Sequence, residues 1–194
     1  MQTALLVIDF INDIAHPKGK IARSALRIEK NQILSHVNQA IDYARQQKYL
    51  LIFVKVGFHA GYLDCPPHSP LFSTAKQHAA LLLHSWGTEF HEELDVRASD
   101  LVIVKHRVSA FYSTPLEALL KAQKIERLFL TGTATNMAVE HTARDAHDRD
   151  YLVTILKDGC EAASEESHLA ALESMSRFCT VMSLPDFLKQ KSIC

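Results

Sequence analysis

The sequence predicts a three-layer α/β/α fold built on a parallel, roughly six-stranded Rossmann-like sheet. Two observations carry this expectation. The apolar runs Ala4–Ile8 and Leu101–Lys105 are short and continuous, which marks strands buried on both faces rather than half-exposed ones. Such runs alternate along the chain with stretches of helical spacing, and strands joined through helices pair in parallel by right-handed crossovers with helices on both faces. With 194 residues and 47% hydrophobic content, the chain can fill one core but not two ordinary ones, so a single domain over residues 1–194 is expected.

Each element follows in order. Ala4–Ile8 is the first strand, with Asp9 at its C-terminal end. From Ser24 to about Gln47, Leu34, Val37, Ile41 and Ala44 recur at steps of three and four, the spacing of an amphipathic helix. Tyr49–Val56 returns to a β-rich run and completes a βαβ unit. Residues Gly57 to Ser73 hold three prolines and two glycines and read as a long loop, which in a compact domain is usually functional or disordered.

Leu101–Lys105 is the third strand, followed by a helix start with Thr114 as N-cap, Pro115 at the first helical position and Glu117 closing a capping box. Beyond it the pattern gives strand 127–131, helix 136–149, strand 151–156, helix 165–177, strand 179–183 and a short terminal helix 185–191. Ligands of such sheets bind outside the carboxyl ends of the strands. Asp9, Lys105 and the turn from Gly132 to Ala138 therefore converge on one expected site.

Lys and Arg total 21 against 22 Asp and Glu, a net charge of -1. This balance gives no reason to expect nucleic acid or a membrane surface as a partner. The first residues carry no basic leader, and no stretch approaches the ~20 apolar residues of a membrane span. Cys65, Cys160, Cys179 and Cys194 form no C-x-x-C pair and read as reduced thiols of a cytoplasmic protein.

Three motifs occupy the strand ends. They are Asp9-Phe10-Ile11-Asn12-Asp13-Ile14, Lys105 to Thr114 with Ser109-Ala110-Phe111 inside it, and Gly132-Thr133-Ala134-Thr135-Asn136-Met137-Ala138-Val139 continuing to Thr142-Ala143-Arg144-Asp145-Ala146. The first resembles the D-x-x-N-D-F signature of the isochorismatase-like hydrolases, also called the cysteine hydrolase family, with Ile14 in place of the aromatic. The second resembles that family's K-x-x-x-S-A-F-x-x-T segment and the third its nucleophile turn. Amidase members carry a cysteine where this chain has Ala138.

The resemblance implies that Asp9 and Lys105 are the pair that in amidases activates the cysteine, and that the Thr133–Ala134 peptide is cis. A thiolate at a helix N-terminus beside a cation is stabilised by dipole and charge, and turn amides can hold an oxyanion. Ala138 offers no nucleophilic atom, so covalent acyl transfer there is excluded. In isochorismatases proper, which cleave a vinyl ether into an alcohol and pyruvate, the resemblance implies that the aspartate protonates the enol ether carbon and needs no cysteine. Burial of Asp9 would raise its pKa and Lys105 would lower it.

The expected function is therefore a hydrolase of a small metabolite working without a cysteine nucleophile, with Asp9 as general acid. A non-catalytic small-molecule binder on the same fold is the alternative, and a C–N hydrolase using another nucleophile, such as Cys65, comes last. The expected site holds Asp9, Lys105 and Ala138, with Thr133, Ala134, Thr135, Met137, Phe111, His59 and Trp86 as substrate contacts. His59 lies where nicotinamidase-type relatives keep a D-x-H metal pair. Gly57 replaces the aspartate, and His59 with His68 is too thin a ligand set, so no metal and no other cofactor is expected. The resemblance also implies a homo-oligomer, dimer or tetramer.

Overall fold

In the computed structural model, which describes residues 1–190, strand β1 (Gln2–Ile8) lies at the centre of the sheet with residues 4–8 fully buried. A short turn of helix, α1 (Asn12–Ala15), follows. Next comes α2 (Ala25–Lys30), then α3 (Ile33–Gln46). The single helix expected over 24–47 is therefore interrupted, because Gln32 adopts a left-handed φ of 53°, which no continuing α-helix tolerates. Leu34, Val37, Ile41 and Ala44 nevertheless form the buried stripe of α3.

Strand β2 (Leu50–Val56) returns beside β1. The expected loop after it contains a single-turn 3₁₀ segment at Ala60–Tyr62 and ends in α4 (Pro70–Gln77). Ser69 caps α4 by accepting from the Phe72 amide (3.4 Å), and Pro70 opens it, so one of the three prolines read as loop residues is a helix starter. After β3 (Leu101–Lys105), α5 (Leu116–Ala122) begins one residue later than expected. No capping box forms there. Thr114 accepts from the Leu116 amide (3.2 Å), while Glu117 pairs with Lys121 (2.8 Å) and Arg149 (3.1 Å), whose charges win it from the backbone.

Strand β4 (Ile125–Thr133) runs into a π-type turn, Thr135–Val139, before α6 (Glu140–His147). Strand β5 (Leu152–Glu161) is longer than its apolar run, because pairing with β4 resumes at Gly132 with Cys160. Then come α7 (Glu165–Met175), β6 (Thr180–Met182) and α8 (Leu184–Leu188). Residue 191, the end of the expected terminal helix, lies outside the described residues.

The six strands pair in parallel in the order β3-β2-β1-β4-β5-β6. Alternation along β1 sends Ala4, Leu6 and Ile8 to one face, against Leu116 and Leu120 of α5, Ala143 of α6 and Leu172 of α7. Leu5 and Val7 face Val37 and Ile41 of α3 and Phe187 of α8 on the other. Each such aliphatic side chain taken from water contributes ~1.5–3 kcal/mol before entropy costs, so helices on both faces are held by the same strand.

Two consequences place the site. The chain runs outward to β2 and β3 on one side of β1 and to β4, β5 and β6 on the other, so β1 and β4 form the switch point, where a crevice opens at the strand ends. They approach closely there: Ile8 pairs with Gly132, and a Cβ at Gly132 would lie 2.7 Å from the Ile8 carbonyl oxygen. A separate apolar cluster of Ile11, Phe58, Phe72 and Leu81 holds the 57–83 segment over these ends. No helix among the described residues is long and apolar enough to cross a membrane.

Candidate active site

Asp9 leaves β1 in a left-handed conformation (φ 61°), which an aspartate tolerates better than most residues. Its amide donates to Val54 (2.9 Å) and its Oδ1 accepts from the Val56 amide (2.9 Å), fixing the carboxyl against the end of β2. Lys105, the last residue of β3 and in register with Val56, donates from Nζ to Asp9 Oδ2 at 2.8 Å. The same ammonium donates to the carbonyls of Arg107 (3.2 Å) and Val108 (3.0 Å), so its three donors are all engaged. Both side chains are buried, at 4% and 2% exposure. Burial pushes the Asp9 carboxyl above the ordinary aspartate range, against the pull of the Lys105 charge and of hydrogen bonds from Lys105 and the Val56 amide.

The turn after β4 completes the floor. The Thr133–Ala134 peptide is cis, as the resemblance implied. The Ala134 carbonyl accepts from the amides of Met137 (3.0 Å) and Val139 (3.3 Å), which closes the π-type turn and brings Ala138 under the cavity, 4% exposed. A cavity of about 470 Å³ opens here, lined among others by Asp9, Lys105, Thr133, Ala134, Met137 and Ala138. Its walls are largely apolar, with Ile14, Val56, Phe72, Leu81 and Val108, and its size suits a small metabolite.

Four expected contacts lie elsewhere. Thr135 is turned into the protein, its Oγ1 2.8 Å from Nδ1 of His168. Phe111 is buried in the core, against Tyr151 and under the Arg149 guanidinium. Trp86 is half exposed and packs edge-on against His16. His59 is exposed and bonded to Asp64.

Other residues shape the cavity without having been singled out. Asn12 donates to the Trp86 carbonyl (2.9 Å), and Asp13 Oδ2 accepts from the Leu81 amide (2.7 Å). The Asn-Asp of the first motif thus ties two loops over the strand ends. Gly87 permits this closeness, since a Cβ there would meet Asp13 Oδ2 at 2.1 Å. Arg23, Ser24 and Asn136 also line the cavity. Asn136 lies inside the third motif, whereas Arg23 and Ser24 belong to none of the three and no apolar periodicity marks them as site residues.

No cysteine among the described residues lines this cavity. Cys65 is buried with its Sγ directed at the Phe72 carbonyl, and burial raises its pKa. Cys160 lies in β5 with its thiol pushed up to about 12 by burial. Cys194 lies outside the described residues.

The expectation of no metal weighed His59 and His68. The fold groups His59 instead with Asp64 and His106, their ligand atoms all within 4.8 Å of one another. Burial pushes the Asp64 carboxyl up, but hydrogen bonds from the His59 ring and backbone outweigh it and hold it below the ordinary range. Two imidazoles and a carboxylate suit a zinc-like ion in number and type. None of the three lines the cavity.

The isochorismatase domain model matches residues 3–186. An isochorismatase-like hydrolase from Alkaliphilus metalliredigens superposes with a TM-score of 0.83 at 26% identity, over 97% of this chain and 98% of that one. A nicotinamidase/pyrazinamidase from Bacillus subtilis gives 0.76 at 25% identity, over 94% and 100%. N-carbamoylsarcosine amidase from Thermoplasma acidophilum gives 0.75 at 24%, over 95% and 97%.

Proposed function

The chain belongs to the isochorismatase family, and from that premise we propose that it hydrolyses a small metabolite without a cysteine nucleophile, using Asp9 as the acid. The observation that carries this reading is the buried Asp9–Lys105 pair in the wall of the cavity that Ala138 also lines. Burial raises the Asp9 carboxyl above the ordinary aspartate range, which favours the protonated form that an acid needs. Ala138 supplies nothing to attack with, and the described cysteines do not line the cavity.

Vinyl ether hydrolysis meets these conditions. Asp9 delivers its proton to the terminal enol carbon, where the new C–H bond takes the π electrons and leaves an oxocarbenium ion. Water adds to the oxocarbenium carbon, the one that bears the ether oxygen, and returns a proton to Asp9. The hemiketal then collapses to an alcohol and a keto acid. Acid assistance of this kind contributes ~10²–10⁴-fold. Lys105, fixed by Asp9 and two carbonyls, holds the acid in place.

The test is turnover of a vinyl ether panel that includes isochorismate. Product formation that survives cysteine alkylation and is lost in Asp9→Ala supports the reading, and no turnover of any member refutes it. A second reading, a binder without catalysis, is favoured by one observation: both Asp9 oxygens and all three Lys105 donors already have protein partners. In that case calorimetry shows binding and the ligand is recovered unchanged.

A further inference from the structure

Among the described residues, three charged side chains line the cavity, Asp9, Lys105 and Arg23. With Asp9 ionised they sum to one positive charge, and with Asp9 protonated to two, although the whole chain carries -1. Lys105 has no donor to spare, since Asp9, Arg107 and Val108 take all three. Arg23 is different. It makes no ion pair and no side-chain hydrogen bond among the described residues, whereas Arg27 is held by Glu161 at 3.1 Å. Glu161 is itself committed to Arg27, Asn31 and the Ala162 amide.

The hydroxyl side chains of Thr133 and Ser24 line the same cavity. Thr133 is 1% exposed, and its Oγ1 is buried with no hydrogen-bond partner among the described residues. Ser24 is 4% exposed, and its hydroxyl caps nothing at the start of α2. Buried hydroxyls are normally satisfied, and that of Thr133 is not. A cavity lined by the orphaned Thr133 hydroxyl, by Ser24 and by the exposed, unpaired guanidinium of Arg23 is complementary to a ligand bearing acceptors and negative charge.

We infer that Arg23, with Thr133 and Ser24, is an anion anchor that selects a small carboxylate with a compact apolar body. The guanidinium pairs with the carboxylate, Thr133 and Ser24 donate to its oxygens or to a neighbouring acceptor, and the apolar wall takes the rest. This inference rests on the same cavity as the proposed hydrolase, yet it concerns binding alone.

The experiment is isothermal titration of the intact protein with benzoate and cinnamate against benzamide and cinnamamide, without turnover. A charge-assisted contact predicts that each carboxylate binds about tenfold tighter than its amide, and that added salt erodes the difference. Arg23→Gln removes that preference and leaves amide affinity unchanged. Thr133→Val weakens carboxylate binding about threefold or more, with a melting temperature equal to or above that of the wild type, because the orphaned hydroxyl is gone. Equal affinity for acid and amide, no saturable binding of either, or a preference that survives Arg23→Gln overturns the inference. Unchanged carboxylate affinity in Thr133→Val overturns the part assigned to Thr133. Failure of the hydrolase reading looks different, since the carboxylate preference then persists with no vinyl ether turned over.

Discussion

Lys105→Met probes the buried pair directly. The variant keeps the length and apolar stem of the side chain but strands the Asp9 carboxyl, whose side chain is 4% exposed. Removing one partner of a buried pair costs ~3–5 kcal/mol, a large part of the ~5–15 kcal/mol that holds a domain together. With a urea dependence of ~3 kcal/mol/M for a chain of this size, the midpoint falls by about 1–1.7 M.

Part of the cost is the loss of a donor to the Arg107 and Val108 carbonyls, and that part is independent of pH. The rest titrates with Asp9. Its folded pKa is already raised by burial and rises further once the lowering influence of Lys105 is removed. A group raised on folding contributes stability below its unfolded pKa and loses it as pH climbs through the folded value. The deficit of Lys105→Met therefore widens from pH 5 to pH 8. The double variant Asp9→Asn/Lys105→Met is less destabilised than the two single variants summed. Urea unfolding at both pH values, followed by circular dichroism, reads these quantities. An equal deficit at both, or additive single effects, refutes the reasoning.

Gly87→Ala forces its Cβ into the buried Asp13 carboxylate that holds the Leu81 amide. It is expected to cost ~1–3 kcal/mol, read as a lower melting temperature, and to loosen the loops over the cavity, read as faster proteolysis there. Ala138→Cys places a thiol near the end of the π-type turn Thr135–Val139, in the lining of the cavity with Asp9 and Lys105, and iodoacetamide trapping is expected to give a pKa below the ordinary ~8.5 of cysteine; a pKa at or above that value places the turn away from the pair. In the unmodified protein Cys160 and Cys179, both pushed up to about 12 by burial, resist alkylation until the protein unfolds, which mass spectrometry of native and urea-treated samples checks.

The central strands and the site location were legible because their signals are physical and local. Ala4–Ile8 must be buried on both faces, and a carboxylate directly after such a run lies at the sheet's carboxyl edge. The interruption at Gln32 was not legible, since a polar residue in a polar stretch says nothing of its φ. The resumption of β5 at Cys160 depends on pairing with Gly132, a long-range contact with no local mark. Thr135 and Met137 are two residues apart in one turn, yet one bonds to His168 and the other faces the cavity. That difference arises from the π-type turn and not from residue type. His106 and Asp64 are 42 positions apart in sequence and meet His59 only through the fold, so a ligand count along the sequence omits them.

The proton-donor role of Asp9 is tested most directly by the pH dependence of kcat/KM for the best vinyl ether substrate, in wild type and in Asp9→Asn. A buried acid with a raised pKa predicts that the wild-type rate falls as pH rises through that pKa, above the ordinary aspartate value, and that Asp9→Asn loses both the rate and the titration. A rate that instead rises with pH in the range of a free thiol, or that persists in Asp9→Asn, contradicts it.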